Sequence, residues 1–102
     1  MRPEQPMVWV FNGPNSTFPS GIFSTKERAE EWILSNRLEG TLTAYPVDIS
    51  AYDWALKHGL FKPKREDQRS PAFIQRFTTA SQEHYHYCTE DYARRDAQRS
   101  ND

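Results

Sequence analysis

Residues 21–33, read as GIFSTKERAEEWI, constrain the fold more than any other stretch of this chain. Gly21-Ile22-Phe23 reads as a short apolar strand. Ser24 and Glu27 then have the S-x-x-E spacing of a capping box, in which a hydroxyl and a carboxylate satisfy free amides of a first helical turn. Ala29, Trp32, Ile33 and Asn36 recur at i, i+3, i+4 and i+7, giving a helix one face that is apolar until its last turn. Lys26, Glu27, Arg28, Glu30 and Glu31 occupy the remaining surface, as a solvated face does. A strand running directly into an amphipathic helix needs other segments to cover the apolar stripe. The pattern therefore predicts an α+β domain organised around this stretch.

The flanking segments supply the partners. Residues 7–11 (MVWVF) are β-branched or aromatic and bounded by Pro6 and Asn12-Gly13, which reads as a strand. It is apolar at every position, so a central strand covered on both faces is expected, the alternative being an outward Trp9 over a groove. Residues 12–20 (NGPNSTFPS) form a connection too long for a tight hairpin and stiffened by two prolines. Its simplest reading is a rigid irregular loop with Phe18 tucked onto the core; loops of this kind are also where binding happens. Residues 41–47 (TLTAYPV) read as a third strand, at an edge or ending at Pro46, because proline cannot donate to a ladder. The second and third strands would then flank the first in a split βαβ arrangement.

A second helix is expected over residues 50–58, started by Asp48 or Ser50 and closed by Gly59. His58 at its end is explained by the helix dipole. Residues 62–69 (KPKREDQR) read as a charged, exposed linker. Ser70-Pro71 can start a third helix that turns Phe73, Ile74 and Phe77 inward. Residues 82–88 alternate and read as a last strand. The expected organisation is a flexible leader at 1–6, one domain at 7–88, and a polar, disordered tail at 89–102. The expected fold is a small, mostly antiparallel sheet of three to four strands with two to three helices packed on it.

Composition narrows the functional classes. The 13 basic and 14 acidic residues leave a net charge of −1, which exerts no long-range pull on phosphate backbones or anionic membranes. A single cysteine, Cys88, excludes an intramolecular disulfide. No apolar run approaches the ~20 residues of a membrane span, and the first residues lack a secretory apolar core, so a cytoplasmic setting is expected. Only 36% of residues are apolar, against ~45–50% in typical domains when glycine is counted. Three Trp, five Tyr and six Phe offset this, since each large ring buries ~150–250 Å2.

The most specific local pattern is His84-x-His86-x-Cys88. Alternate residues of a strand share a face, and His-x-His places two imidazoles ~6.6 Å apart at Cα, workable for a zinc ion. Cys88, ~13 Å from His84 on a straight strand, cannot easily join them. The bland reading is a strand whose Tyr85 and Tyr87 pack inward while both histidines face water. No orienting group or oxyanion site accompanies Cys88 and His86, and there is no phosphate loop, H-E-x-x-H or apolar carboxylate pair. No cofactor is expected, and the balance leans away from an enzyme.

The strings VWVFNGPNSTFPSGIFSTKERAEEWI, GTLTAYPVD, AYDWALKHGLF and SQEHYHY together resemble a small uncharacterised bacterial domain family over roughly residues 7–87. The resemblance implies a bacterial cytosolic setting and no established activity. Several small bacterial α+β proteins of this size are immunity proteins that block a toxin's active site. By analogy of size and class, the expectation is a non-enzymatic protein-interaction module of immunity or antitoxin type. Its candidate partner-binding residues are Asn12, Asn15, Phe18, Tyr45, His84 and His86, chosen for the stiff loop and for polar and aromatic groups of the kind that carry interfaces. The alternatives are a metal-binding or small hydrolytic protein using His84 and His86 and, more weakly, a nucleic-acid accessory.

Overall fold

The structure, a computed structural model, describes residues 5–100, with side chains through Arg94. Strand β1 (Met7–Asn12) pairs antiparallel with β2 (Gly21–Phe23) on one side and β3 (Gly40–Pro46) on the other. A fourth strand, β4 (His84–Tyr87), pairs antiparallel with β3, giving the order β2-β1-β3-β4. Because β2 and β3 both oppose β1, they run parallel to one another. The intervening helix α1 (Lys26–Ser35) therefore makes a split βαβ crossover over β1. The fold is α+β, as the sequence predicts.

Of the two readings of Pro46, the strand ending there holds: Pro46 is the last residue of β3, which lies between β1 and β4 and not at an edge. Two other expectations are corrected. β1 is central in strand order but buried on one side only: Phe11 is buried, while Val8 and Val10 are half-exposed. The cap of α1 is Thr25, not Ser24. Thr25 is extended, and its hydroxyl accepts from the Arg28 amide at 3.1 Å. The helix begins one residue later than the S-x-x-E register implies, which leaves Glu27 in the first turn, where the dipole favours an acid.

The apolar stripe of α1 meets the sheet where expected. Ala29 and Ile33 are fully buried with Phe11 and Leu42, ringed by Trp9, Phe23, Trp32, Leu38 and Tyr87. Trp32 stands edge-on to Phe11 at 5.6 Å and tilts over Phe23 at 5.4 Å. Each large side chain so buried contributes roughly 1.5–3 kcal/mol. Gly40 is required here: its φ is +146°, and a Cβ would sit 2.2 Å from the Asn12 carbonyl oxygen.

A second packing centre forms after β3. Helix α2 (Ala51–Lys57) is capped by Ser50 and closed by Gly59 at φ +69°. Tyr52 is buried, with the rings of Phe61, Phe73 and Phe77 at 5.8, 6.2 and 5.4 Å. The expected linker holds a 3-10 turn at Glu66–Arg69, tied in by the Tyr52 hydroxyl donating to the Gln68 carbonyl at 2.8 Å. Helix α3 (Pro71–Ile74) is one turn long; it turns Phe73 inward but leaves Ile74 38% exposed, against expectation. A single turn has only one inner face, and Phe73 fills it.

The chain ends differ most from expectation. The segment read as a disordered tail forms α4 (Thr89–Ser100). Glu90 and Asp91 lie in its first turn, and the Asp91 carboxylate accepts from the Cys88 amide at 3.3 Å. Tyr92 is buried and donates to the carbonyls of Leu38 at 2.6 Å and Ile33 at 3.2 Å, so one aromatic anchors a polar helix to the end of α1. This makes four α-helices among the described residues, where two or three were expected. Residues 101–102 lie outside the described residues, as do residues 1–4 of the expected leader. Pro6 is not loose: its carbonyl accepts from the Val47 amide at 2.9 Å, beside a Gln5 side-chain bond to the Val47 carbonyl.

Candidate functional site

Register decides which side chains share a face, because directly paired residues of antiparallel strands project to the same side. Toward α1 point Trp9, Phe11, Phe23, Leu42, Ala44, Tyr85 and Tyr87. Toward the opposite side point three cross-strand rows. Asn12, Thr41 and His86 form one row; Ile22, Val10, Thr43 and His84 the next; and Val8 with Tyr45 the last. None of these nine residues is buried, and Ile22 is 65% exposed.

Four of the six sequence-derived candidates, Asn12, Tyr45, His84 and His86, thus lie on one open face although they come from three different strands. Asn15 and Phe18 do not join them on the sheet. Both sit in the loop leaving β1, with Asn15 at φ +60° and Phe18 78% exposed. The expectation that Phe18 tucks onto the core fails: residues 14–20 are all exposed. The loop is tied at its root by the Ser20 amide bonding the Phe11 carbonyl at 2.9 Å. On its inner side, Gly13, Pro14 and Ser20 wall an open groove of about 510 Å3 with Phe11, Trp32, Leu38 and Thr89.

The histidines have defined second contacts. His84 Nδ1 is 2.8 Å from the Gln82 carbonyl oxygen, and His86 Nδ1 is 3.3 Å from the Thr41 hydroxyl. Their rings stand edge-on, with centroids 5.2 Å apart. Gln82 itself is buried and donates to the Ala44 carbonyl at 2.9 Å, fixing the entry into β4. Cys88 leaves the pattern: the strand ends at Tyr87, and the exposed thiol turns to Asp91 at 3.5 Å. Among the described residues no group of three or more His, Cys, Asp or Glu is placed to hold a metal ion.

The other face of β4 is locked to α1. The Tyr87 hydroxyl donates to the Glu30 carboxylate at 2.6 Å, and burial together with that acceptor pushes its pKa upward. Tyr85 donates to Glu83, which raises its pKa, while Lys26 lies 3.9 Å above its ring. Sequence reading missed Ile22, Val8, Val10, Thr41 and Thr43 as members of the face. Each looks like an ordinary strand residue, and only pairing shows which side it takes.

These observations define a class: a small α+β domain whose four-stranded antiparallel sheet carries α1 on one face and, among the described residues, leaves the other unburied. The chain belongs to the family described as Domain of unknown function (DUF7710), whose model matches residues 8–93. That span reaches Tyr92, the anchor of α4. No curated protein matches the chain, and no solved structure does.

Proposed function

We propose that this chain is a non-enzymatic protein-interaction module and that the open sheet face, with the adjoining 12–20 loop, is its binding surface. The observation that carries the reading is the exposure of Ile22 and Phe18, at 65% and 78%, beside a sheet face on which no residue is buried. Exposed apolar side chains grouped on one surface and rimmed by polar residues are the mark of an interaction site. Val8, Val10, Ile22 and Tyr45 supply an apolar centre, while Asn12, Thr41, Thr43 and the two histidines supply a hydrogen-bonding border.

An inhibitor of immunity or antitoxin type, acting in a bacterial cytoplasm, is the specific form of this reading. A flat face with a stiff projecting loop suits occlusion of another protein's cleft, and the lone exposed thiol suits a reducing compartment. The test is affinity capture from the source organism with the wild-type chain and with Ile22→Lys and Tyr45→Asp variants. A stoichiometric partner recovered by the wild type and lost by both variants is the expected result. A partner retained equally by both variants removes this face from the function.

A further inference from the structure

We propose that His84 and His86 are half of a site for a divalent transition-metal ion of the zinc or nickel class, completed by the same two residues of a second copy paired along the free edge of β4. The first observation is the chemistry of the His84 ring. A carbonyl oxygen can only accept, so the Gln82 contact requires the proton on Nδ1 and leaves the Nε2 lone pair free in the neutral ring. A backbone carbonyl bonded to the far nitrogen is the usual support for a metal-binding imidazole. The Thr41 hydroxyl, which can accept or donate, holds His86 Nδ1 at 3.3 Å and so orients that ring as well.

The second observation is spacing. Metal–nitrogen bonds are about 2.0–2.1 Å, and each ring centre lies about 1.1 Å further on, so two imidazoles sharing a tetrahedral ion hold their centroids about 5 Å apart. The rings of His84 and His86 are 5.2 Å apart and edge-on. Two imidazoles fill half of a tetrahedral ion's coordination, and no third ligand of the chain is grouped with them among the described residues.

The third observation is the position of β4. It is the last strand in the order β2-β1-β3-β4, so its outer side has no strand partner among the described residues. Such an edge is a template for another strand. An antiparallel pair of β4 strands centred on Tyr85 sets His84 of each copy opposite His86 of the other. Directly opposed side chains have Cβ atoms about 4.5–5.5 Å apart. A two-fold axis perpendicular to the sheet keeps all four imidazoles on the open face and both tyrosine pairs on the α1 side. Four residues per strand make a small contact, so pairing of the copies depends on the metal. This site shares the histidine border with the protein-partner reading but needs neither the loop nor the apolar centre, so the two can be tested separately.

Sedimentation velocity with zinc or nickel, paired with calorimetric titration, tests it. The expected result is a monomer in chelator, a dimer on adding metal, and one ion bound per two chains. A His84→Ala, His86→Ala double variant should stay monomeric with metal present; both residues are exposed, and an unchanged melting temperature in chelator confirms that it is folded. The proposal is overturned by no binding at about 100 µM free metal, well above the dissociation constants of four-ligand zinc sites. It is equally overturned by one ion per monomer without dimerisation, or by a metal-induced dimer that survives the double variant. Loss of a protein partner in the Ile22→Lys variant, with metal-induced dimerisation intact, would show the two readings to be independent.

Discussion

The two faces of the sheet share the same four strands, yet one is core and the other is surface. Beneath α1, Phe11, Leu42 and Ala44 are at most 2% exposed; across the backbone from them, Val10 and Thr43 are half-exposed and Ile22 is 65% exposed. Residue type does not explain the contrast, since Val8, Val10 and Ile22 are as suited to burial as Leu42. What differs is that α1 brings Ala29, Trp32 and Ile33 to one side. The lesson is that an all-apolar strand such as MVWVF reports strand order, not coverage. Val8, Val10, Ile22 and Tyr45 stay unburied because no such apolar stripe lies over them among the described residues.

That contrast can be broken by mutation. Leu42→Ala or Ile33→Ala, on the covered face, should cost about 2–5 kcal/mol in urea unfolding, because each empties a fully buried site. Gly40→Ala should cost about 1–3 kcal/mol through its positive φ alone, and more from the Cβ contact with Asn12, visible as a lowered unfolding midpoint. Tyr92→Phe should cost about 1–2 kcal/mol, since the Leu38 carbonyl just beyond α1 loses its hydroxyl donor; no change would mean that α4 does not brace the covered face.

A pH series separates the faces more gently. The folded state favours the neutral Tyr87 phenol, raising its pKa above the ordinary 10.0. A group with a raised folded pKa contributes stability that is complete below about pH 10 and is lost as pH rises beyond it. The unfolding midpoint of the wild type should therefore fall above pH 10 more steeply than that of Tyr87→Phe. Parallel curves would remove Glu30 and burial as the cause. The smallest effect belongs to the open face: Ile22→Lys should change stability by no more than about 0.5 kcal/mol while abolishing partner capture. A cost comparable to Leu42→Ala would show that this face is packed.

Much of the scaffold is legible in the chain because it rests on local rules. The helix stripe of Ala29, Trp32 and Ile33 follows from a 3.6-residue period, and the caps at Ser50, Gly59 and Ser70-Pro71 follow from hydrogen bonding and backbone sterics. The inward Tyr85 and Tyr87 and outward histidines follow from alternation. The α4 helix was obscured by its composition, although Glu90 and Asp91 in a first turn followed by a single tyrosine were a usable signal. Cys88 looked like a third member of the histidine face only because the strand was expected to run one residue too far.

By itself, the sequence determined the strand–helix unit at residues 21–33 and the candidacy of Asn12, Tyr45, His84 and His86. It determined them because period, capping and turn chemistry act over a few residues. Tertiary structure alone decided that those four residues meet on one face, that β3 is interior and β4 an edge, and that Tyr92 carries α4 into the core. Those outcomes depend on pairing between segments as far apart as Thr41 and His86. No local preference encodes which strand a residue will face, because register is set by the summed burial of every pair at once.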